Sequence, residues 1–385
     1  MKNDFNGSKE YRIIDQKAKK CLSLAFLLLI VVSCSDSTDF TDFAEYKSFP
    51  KELIIADELE EIPISVDLFL TLEMTATDNL LFALLYEGDE VVKIFDNETL
   101  EYLGGFGSEG EGPNEFFHPY QNGFRIYENN ILTMMDRKSI RTIPVTIETD
   151  SENKKVAKYT LEENQRYKLA GIMIPLREGS LLNDSTVIGL NETSKNNQFI
   201  TYDFFNKKVN YSHKFPPIEI KASPFEKAHW LNSFLKVSRD HSKIAMAYEK
   251  LPLIRIIDLE GSKKDEIFIK TDNTLLRSII TDSDSNPIRP KGILYYYSDM
   301  EISDQYIFAS YHKQEVSYND NNEAQKVYYT EQEIHVFDFK GNAIAKLKLE
   351  DWMSQFAVTP NSEYLYFSHS EKENSIFRYK IPVLE

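Results

Sequence analysis

The sequence predicts an all-β chain, a six-bladed β-propeller behind an export leader, with seven blades as the alternative count. Three observations predict it. Short apolar runs recur between turn residues along the body, and no long amphipathic helical pattern interrupts them after Phe49. A strand ending on an aspartate and a tight turn repeats at Lys93–Asp96, Ile200–Asp203, Arg255–Asp258 and His335–Asp338. The composition, 42% hydrophobic with 25 Phe and 22 Tyr, suits pleated, half-buried surfaces. Only 14 Gly and 14 Pro in 385 residues argue against a low-complexity linker protein.

The chain opens with a leader. Lys17, Lys19 and Lys20 precede the apolar run Cys21–Val32, and Ser33 and Cys34 follow. This is the order of basic region, hydrophobic region and small residues in a secretory signal, and the run is too short to span a bilayer. The segment Val31-Val32-Ser33-Cys34 resembles a bacterial lipobox. The resemblance implies that residues 1–33 are a lipoprotein signal peptide, that Cys34 carries the lipid, palmitate included, and that the protein is anchored in the cell outer membrane. Several acyl chains on one residue anchor firmly where one would be marginal. Residues 34–48 begin Cys-Ser-Asp-Ser-Thr-Asp and read as an acidic, flexible tether. They are similar to the acidic stretch that sends Bacteroidetes-type lipoproteins to the cell surface. The tether leaves both a periplasm-facing and a surface-exposed position open.

Residues 49–385 form the propeller. Blade 1 is predicted at about 71–106, blade 2 at 120–160, blade 3 at 168–212, blade 4 at 233–270, blade 5 at 292–350, and blade 6 from 353 to the end. The last blade shows only three strands, so Glu52–Ala56 or Ile62–Phe69 is expected to supply its fourth and close the ring.

The stretch Val91–Ile140 carries Phe95-Asp96, Gly105-Phe106-Gly107, Gly110, Gly112-Pro113-Asn114-Glu115-Phe116, Pro119 and Gly123. In these features it resembles an NHL-like propeller repeat, and the whole chain is similar to the TolB-like or NHL-like six-bladed propeller lipoproteins of Bacteroidetes. The resemblance implies a fold and a compartment; it names no ligand. The glycine-rich segment lacks the Lys-Ser/Thr of a phosphate-binding loop and opens no helix. It reads as a blade-to-blade crossover in which Phe116 packs between blades.

Strand parity puts second-to-third-strand loops and blade-to-blade connections on one face. The long segments 107–121, 212–232, 271–291 and 314–331 are all of these kinds, and long loops on a rigid scaffold are where binding resides. In 212–232, Ser223-Pro224-Phe225-Glu226 reads as a capping box opening a short helix. That helix would carry Phe225, His229 and Trp230 over the central channel, either as a lid packing its own aromatics or as a contact surface for a glycan or peptide. In 271–291, Arg277 and Arg289 could hold an anionic group in an otherwise acidic protein. His229, Trp230, Arg277 and Arg289 are therefore the candidate ligand-binding residues.

Charge and motifs limit the function. The formal charge is −17, and the six basic and three acidic residues of 1–33 leave −20 on the remainder. Such a body repels phosphate backbones, so nucleic acid is not an expected partner. With Cys34 acylated and Cys21 in the leader, no thiol remains for a disulfide, metal site or nucleophile. The seven histidines show no HExxH spacing, and no GxSxG elbow is present, so neither cofactor, metal site nor catalytic residue is predicted. These absences favour a non-catalytic binding or scaffold protein of the cell envelope, partnered by the membrane through its lipid and by a protein, peptide or glycan. The alternative is a lactonase-like propeller hydrolase or lyase with a divalent metal at the axis. Three or more carboxylates or amides converging on the axis would favour it, and an apolar or wet uncharged channel would favour the binder.

Overall fold

The computed structural model describes residues 43–110, 112, 115–116, 119–127, 130–136, 139–161, 166–168, 176–191, 196–218, 224–259, 266–272, 293–319 and 323–384. The leader, Cys34, Arg277 and Arg289 lie outside them.

The described residues form six blade sheets in a ring, and a two-stranded parallel sheet, Ser108–Glu109 with Glu115–Phe116, in the crossover after blade 1. Blade 1 runs Thr71–Ala76, Leu80–Leu85, Val92–Asp96, Tyr102–Phe106 from inside to outside. Blade 2 runs Pro119–Tyr127, Ile131–Asp136, Ser139–Thr149, Lys155–Tyr159, and blade 3 runs Leu176–Asn183, Thr186–Asn191, Asn197–Asp203, Lys208–Lys214. Blade 4 runs Ser233–Val237, Lys243–Tyr248, Leu253–Asp258, Glu266–Lys270. Blade 5 runs Ile293–Ile302, Tyr306–Tyr318, Gln332–Asp338, Ala343–Leu349. Blade 6 runs Gln355–Val358, Tyr364–Ser368, Ser375–Lys380, and takes Glu60–Pro63 as its outermost strand. Each innermost strand touches the innermost strands of the blades on either side, and blade 6 touches blade 1, so the ring closes.

Closure therefore uses the N-terminal segment, as expected, but only one of the two candidate stretches does it. Glu60–Pro63 overlaps the second candidate and pairs with Ser375–Arg378. Glu52–Ile54 instead pairs in parallel with Lys346–Lys348 at the rim of blade 5, and Glu45–Tyr46 pairs in parallel with Ile269–Lys270 at the rim of blade 4. The segment covers three outer edges in succession, and a covered edge cannot recruit a foreign strand.

The aspartate turns form as predicted where they are described. Asp96 Oδ1 accepts the N–H groups of Glu98 and Thr99, Asp203 Oδ1 those of Phe205 and Asn206, and Asp338 Oδ1 those of Lys340 and Asn342. The two bonds that Asn206 donates hold the Asp203 carboxyl below its ordinary value.

Apolar cores fill the seams between blades. Phe82, Phe106, Phe116 and Phe124 join blades 1 and 2; Met135, Ile140, Leu181 and Ile200 join blades 2 and 3. Ala247, Ile256, Tyr297 and Phe337 join blades 4 and 5, and Phe308, Ile334, Phe356 and Phe367 join blades 5 and 6. Met74, Phe95, Ala357 and Tyr366 join blades 6 and 1. The seam between blades 3 and 4 is polar at its centre. The amide oxygen of Gln198 accepts from Arg255 Nη1 at 2.5 Å and from Tyr248 Oη at 2.8 Å, and the guanidinium lies 5.1 Å from the Phe268 ring.

The glycine-rich crossover is structural, as read from the sequence. Gly112 N–H donates to Glu115 Oε2 at 2.7 Å, so the carboxylate of the loop itself occupies the bend that a phosphate would need. Gly107 has φ +81°, and a Cβ there would lie 2.5 Å from the Phe116 ring. Phe116 packs between blades 1 and 2, with the Arg141 guanidinium 4.4 Å from its ring centre.

Candidate functional site

Two regions carry chemistry: the axis and the face of the long connections. At the axis each blade contributes its innermost strand, where one flank of every strand looks toward the centre. Blade 1 places Glu73 there, blade 2 Arg125, blade 4 Lys236, and blade 5 Asp299 and Glu301; all five are buried. Lys236 Nζ donates to Glu73 Oε1 at 2.6 Å and to Glu301 Oε1 at 2.7 Å. Arg125 Nη1 donates to Glu301 Oε2 at 3.0 Å, and the N–H of Phe124 reaches Glu73 Oε2 at 3.3 Å. Asp299 accepts the N–H of Met300 at 2.7 Å.

This cluster matches neither simple expectation for the channel. Three carboxylates converge, as a metal-dependent enzyme would require, but an ammonium group stands between two of them. Among the described residues no three His, Cys, Asp or Glu side chains are grouped to hold a metal ion. Burial pushes the carboxyl of Glu73 above its ordinary value, against the pull of Lys236 and Arg125. Burial likewise pushes Asp299 up to about 7; Lys236 opposes the shift, and Glu301 and Glu73 add to it.

None of these five residues was among the sequence candidates. The available signal was a single charge inside an apolar strand, as in Ser-Phe-Leu-Lys-Val at 233–237, every residue of which is buried.

The second region is the connection face. Every blade is built on four antiparallel strands, to which short strands add in blades 2, 4 and 5, so parity leaves the blade-to-blade connections and the second-to-third-strand loops at the same end of the ring. The predicted helix forms at Pro224–Trp230. Its last turn is fastened to blade 4 at Lys250, in the loop between the second and third strands. Lys250 Nζ lies 3.1 Å from His229 Nε2 and 3.2 Å from the His229 carbonyl oxygen. The same ammonium lies 5.5 Å from the Trp230 ring and 5.7 Å from Tyr295. His229 is exposed and Trp230 half-buried.

Blade 5 projects on this face. Its second strand is 13 residues long, and Ala324–Tyr328 folds back on it. Toward blade 4, Lys313 Nζ bonds Asp272 at 2.6 Å. Toward blade 6, the imidazole of His312 is sandwiched between Tyr328, stacked at 4.7 Å, and Trp352, tilted at 4.7 Å. Tyr328 is 56% and Trp352 41% exposed, so both rings also offer area to solvent. Sequence reasoning named the 314–331 segment but not these aromatics. Of the four predicted binding residues, His229 and Trp230 come together around Lys250, while Arg277 and Arg289 fall outside the described residues.

Polar clefts lined by described residues open on the opposite, short-turn face. One of about 530 Å³ lies between blades 4 and 5, where Arg239 and Asp304 pair at 3.6 Å. One of about 400 Å³ lies between blades 1 and 2, where Lys155 and Asp96 pair at 2.8 Å. Ion pairs with at least one solvent-exposed partner hold turns together weakly and mark no chemistry.

No curated protein matches the sequence. A crystal structure of a DUF4221 family member from Bacteroides vulgatus ATCC 8482 superposes with a TM-score of 0.52 at 12% identity, covering 85% of this chain and 97% of that one. The β-propeller domain of Cps50 (Swd1) from Myceliophteria thermophila gives a TM-score of 0.41 at 10% identity, with 84% and 100% covered. Hydrazine synthase from Kuenenia stuttgartiensis gives 0.40 at 8%, with 83% and 97% covered. The first of these likenesses shows the fold alone. The model of the TolB-like 6-blade propeller-like family matches residues 62–361, and the chain belongs to that family.

Proposed function

We propose that this protein is a lipid-anchored propeller of the cell envelope that binds a protein, peptide or glycan without catalysis, over the face that carries its long connections. One observation carries the reading: two of the three axial carboxylates, Glu73 and Glu301, are engaged with cations of the protein itself. Lys236 sits at 2.6–2.7 Å from Glu73 and Glu301, in the place where a propeller hydrolase would need an exchangeable metal. The half-exposed rings on the connection face, Trp230, Tyr328 and Trp352, supply the flat amphipathic area that recognition surfaces favour. The lipid on Cys34 and an outer-membrane location belong to this reading.

The deciding experiment is capture from intact envelopes with the full chain, set beside a lactone-hydrolysis screen in the presence of divalent metals. Retention of a partner that Trp230→Ala and Trp352→Ala release supports the binder. Metal-dependent turnover abolished by Glu73→Gln would replace it with the hydrolase.

A further inference from the structure

Among the described side chains the axial cluster has an uneven count. Two cations, Arg125 and Lys236, face three acids, Glu73, Asp299 and Glu301, and all five residues are at most 5% exposed. The cations are bonded to Glu73 and Glu301. Asp299 receives one backbone N–H and forms no salt bridge within 4 Å among the described residues. Burying an ionised carboxylate without a partner is costly enough that such a group neutralises instead.

From this count we infer that the propeller axis is a proton-binding site: the ring closes with Asp299 as a neutral acid, and ionisation of that acid loosens the axis.

The groups facing Asp299 fix the sign. Lys236 on blade 4 favours its charged form; Glu73 on blade 1 and Glu301 on its own strand oppose it. Arg125 on blade 2 is bonded to Glu301. Ser310 lies opposite Asp299 on the second strand of blade 5. The innermost strand of blade 6 has no ionisable residue, and that of blade 3 has none among its described side chains. Burial comes first among the causes and holds the group near 7, against about 3.9 in an unfolded chain. The folded state therefore keeps a proton that the unfolded state has lost between about pH 4 and 7. The stability contributed by the neutral acid is fully present below about pH 4 and is lost as pH rises through about 7.

The test is equilibrium unfolding of the full-length protein and its Asp299→Asn variant from pH 4 to 8.5. The ratio of unfolding constants, wild type over variant, should rise about tenfold per pH unit up to about pH 7 and level off above it. A ratio that stays flat across the range overturns the proposal. Infrared spectra of the wild type make the test independent of whether the variant folds. A protonated-carboxyl band present at pH 6 and bleached through about pH 7 supports the proposal, and its absence at pH 6 overturns it. Potassium and calcium chlorides are compared with tetramethylammonium chloride at pH 8 and equal ionic strength. Equal effects support a proton site; stabilisation by the metal salts alone would make the surplus charge a metal-cation seat and overturn it.

Discussion

Lys236 of blade 4 and Glu73 of blade 1 meet at 2.6 Å in the centre of the ring, 163 residues apart in the chain. Glu301 joins the same ammonium from blade 5 at 2.7 Å. One side chain thus ties three blades. Replacing one partner of a buried pair leaves the others charged and unsolvated, so Lys236→Met should cost about 3–5 kcal/mol in urea unfolding. Adding Glu73→Gln and Glu301→Gln should recover much of that loss, because the uncompensated charge goes with them. A cost below about 1 kcal/mol for Lys236→Met would mean that the cluster is hydrated and peripheral to stability.

The crossover after blade 1 makes a second claim. Gly107→Val places a branched side chain at φ +81° and within 2.5 Å of Phe116, so backbone strain and overpacking add. A loss of at least about 2 kcal/mol is expected by thermal melting. Phe116→Ala removes the ring that the glycine accommodates and should cost about 3–5 kcal/mol. In the double variant the new side chain at position 107 no longer meets a ring, so the two single losses should sum to more than the combined effect.

These two sites show what the sequence discloses and what it hides. Blade 1 at 71–106 and blade 4 at 233–270 were legible to the residue, because apolar runs and aspartate turns are local signals. Phe116 was legible because its glycines flank it in the chain. Lys236 was not: one charge in five residues reads as a solvent-facing position until it is known that the strand lines the axis. Its partners also lie on two other blades. The choice between Glu52–Ala56 and Ile62–Phe69 for the closing strand stayed open for a related reason. A three-residue strand with an exposed, alternating pattern fits the rim of blade 5 as well as that of blade 6, and only the path of the chain decides.

His335 should give the opposite pH dependence to Asp299. It is 1% exposed, with its Nε2 2.9 Å from Glu333 and its ring between Tyr311 and Phe49. Burial lowers its affinity for a proton, and Glu333 opposes the shift only in part. The unfolded chain therefore protonates first as pH falls below about 6.5, and the stability present above that pH is lost. Relative to His335→Gln, the wild-type unfolding constant should climb by up to about tenfold per pH unit below about 6.5. Chemical denaturation of both proteins at about pH 5, 6 and 7 checks this, and parallel profiles would show that His335 takes up its proton in place.

The anchor is tested at Cys34. Cys34→Ala should leave the protein unprocessed or released from membranes, and labelled palmitate should appear only in the wild type. Multiple acyl chains give stable attachment where one chain would be marginal, so losing them all should release most of the protein. Unlabelled wild-type protein that still fractionates with membranes would place the attachment elsewhere.

The connection face separates recognition from packing. Trp230 is half-buried against the Lys250 ammonium, while Trp352 is 41% exposed and touches His312. If these rings serve a ligand, Trp352→Ala should weaken partner capture by at least about tenfold while changing stability by no more than about 0.5 kcal/mol, the usual range for a surface substitution. Trp230→Ala should weaken capture as well, with a somewhat larger stability cost because its ring covers Lys250. Lys250→Met serves as the control. It removes the charge beneath the helix while keeping an aliphatic stem, so it should lower the melt through His229 and Trp230 without touching the blade 6 side of the face. Capture that survives both tryptophan variants while their melts fall would identify the rings as a lid packed on its own blades, and the binding surface would then have to be sought among the segments 107–121 and 271–291.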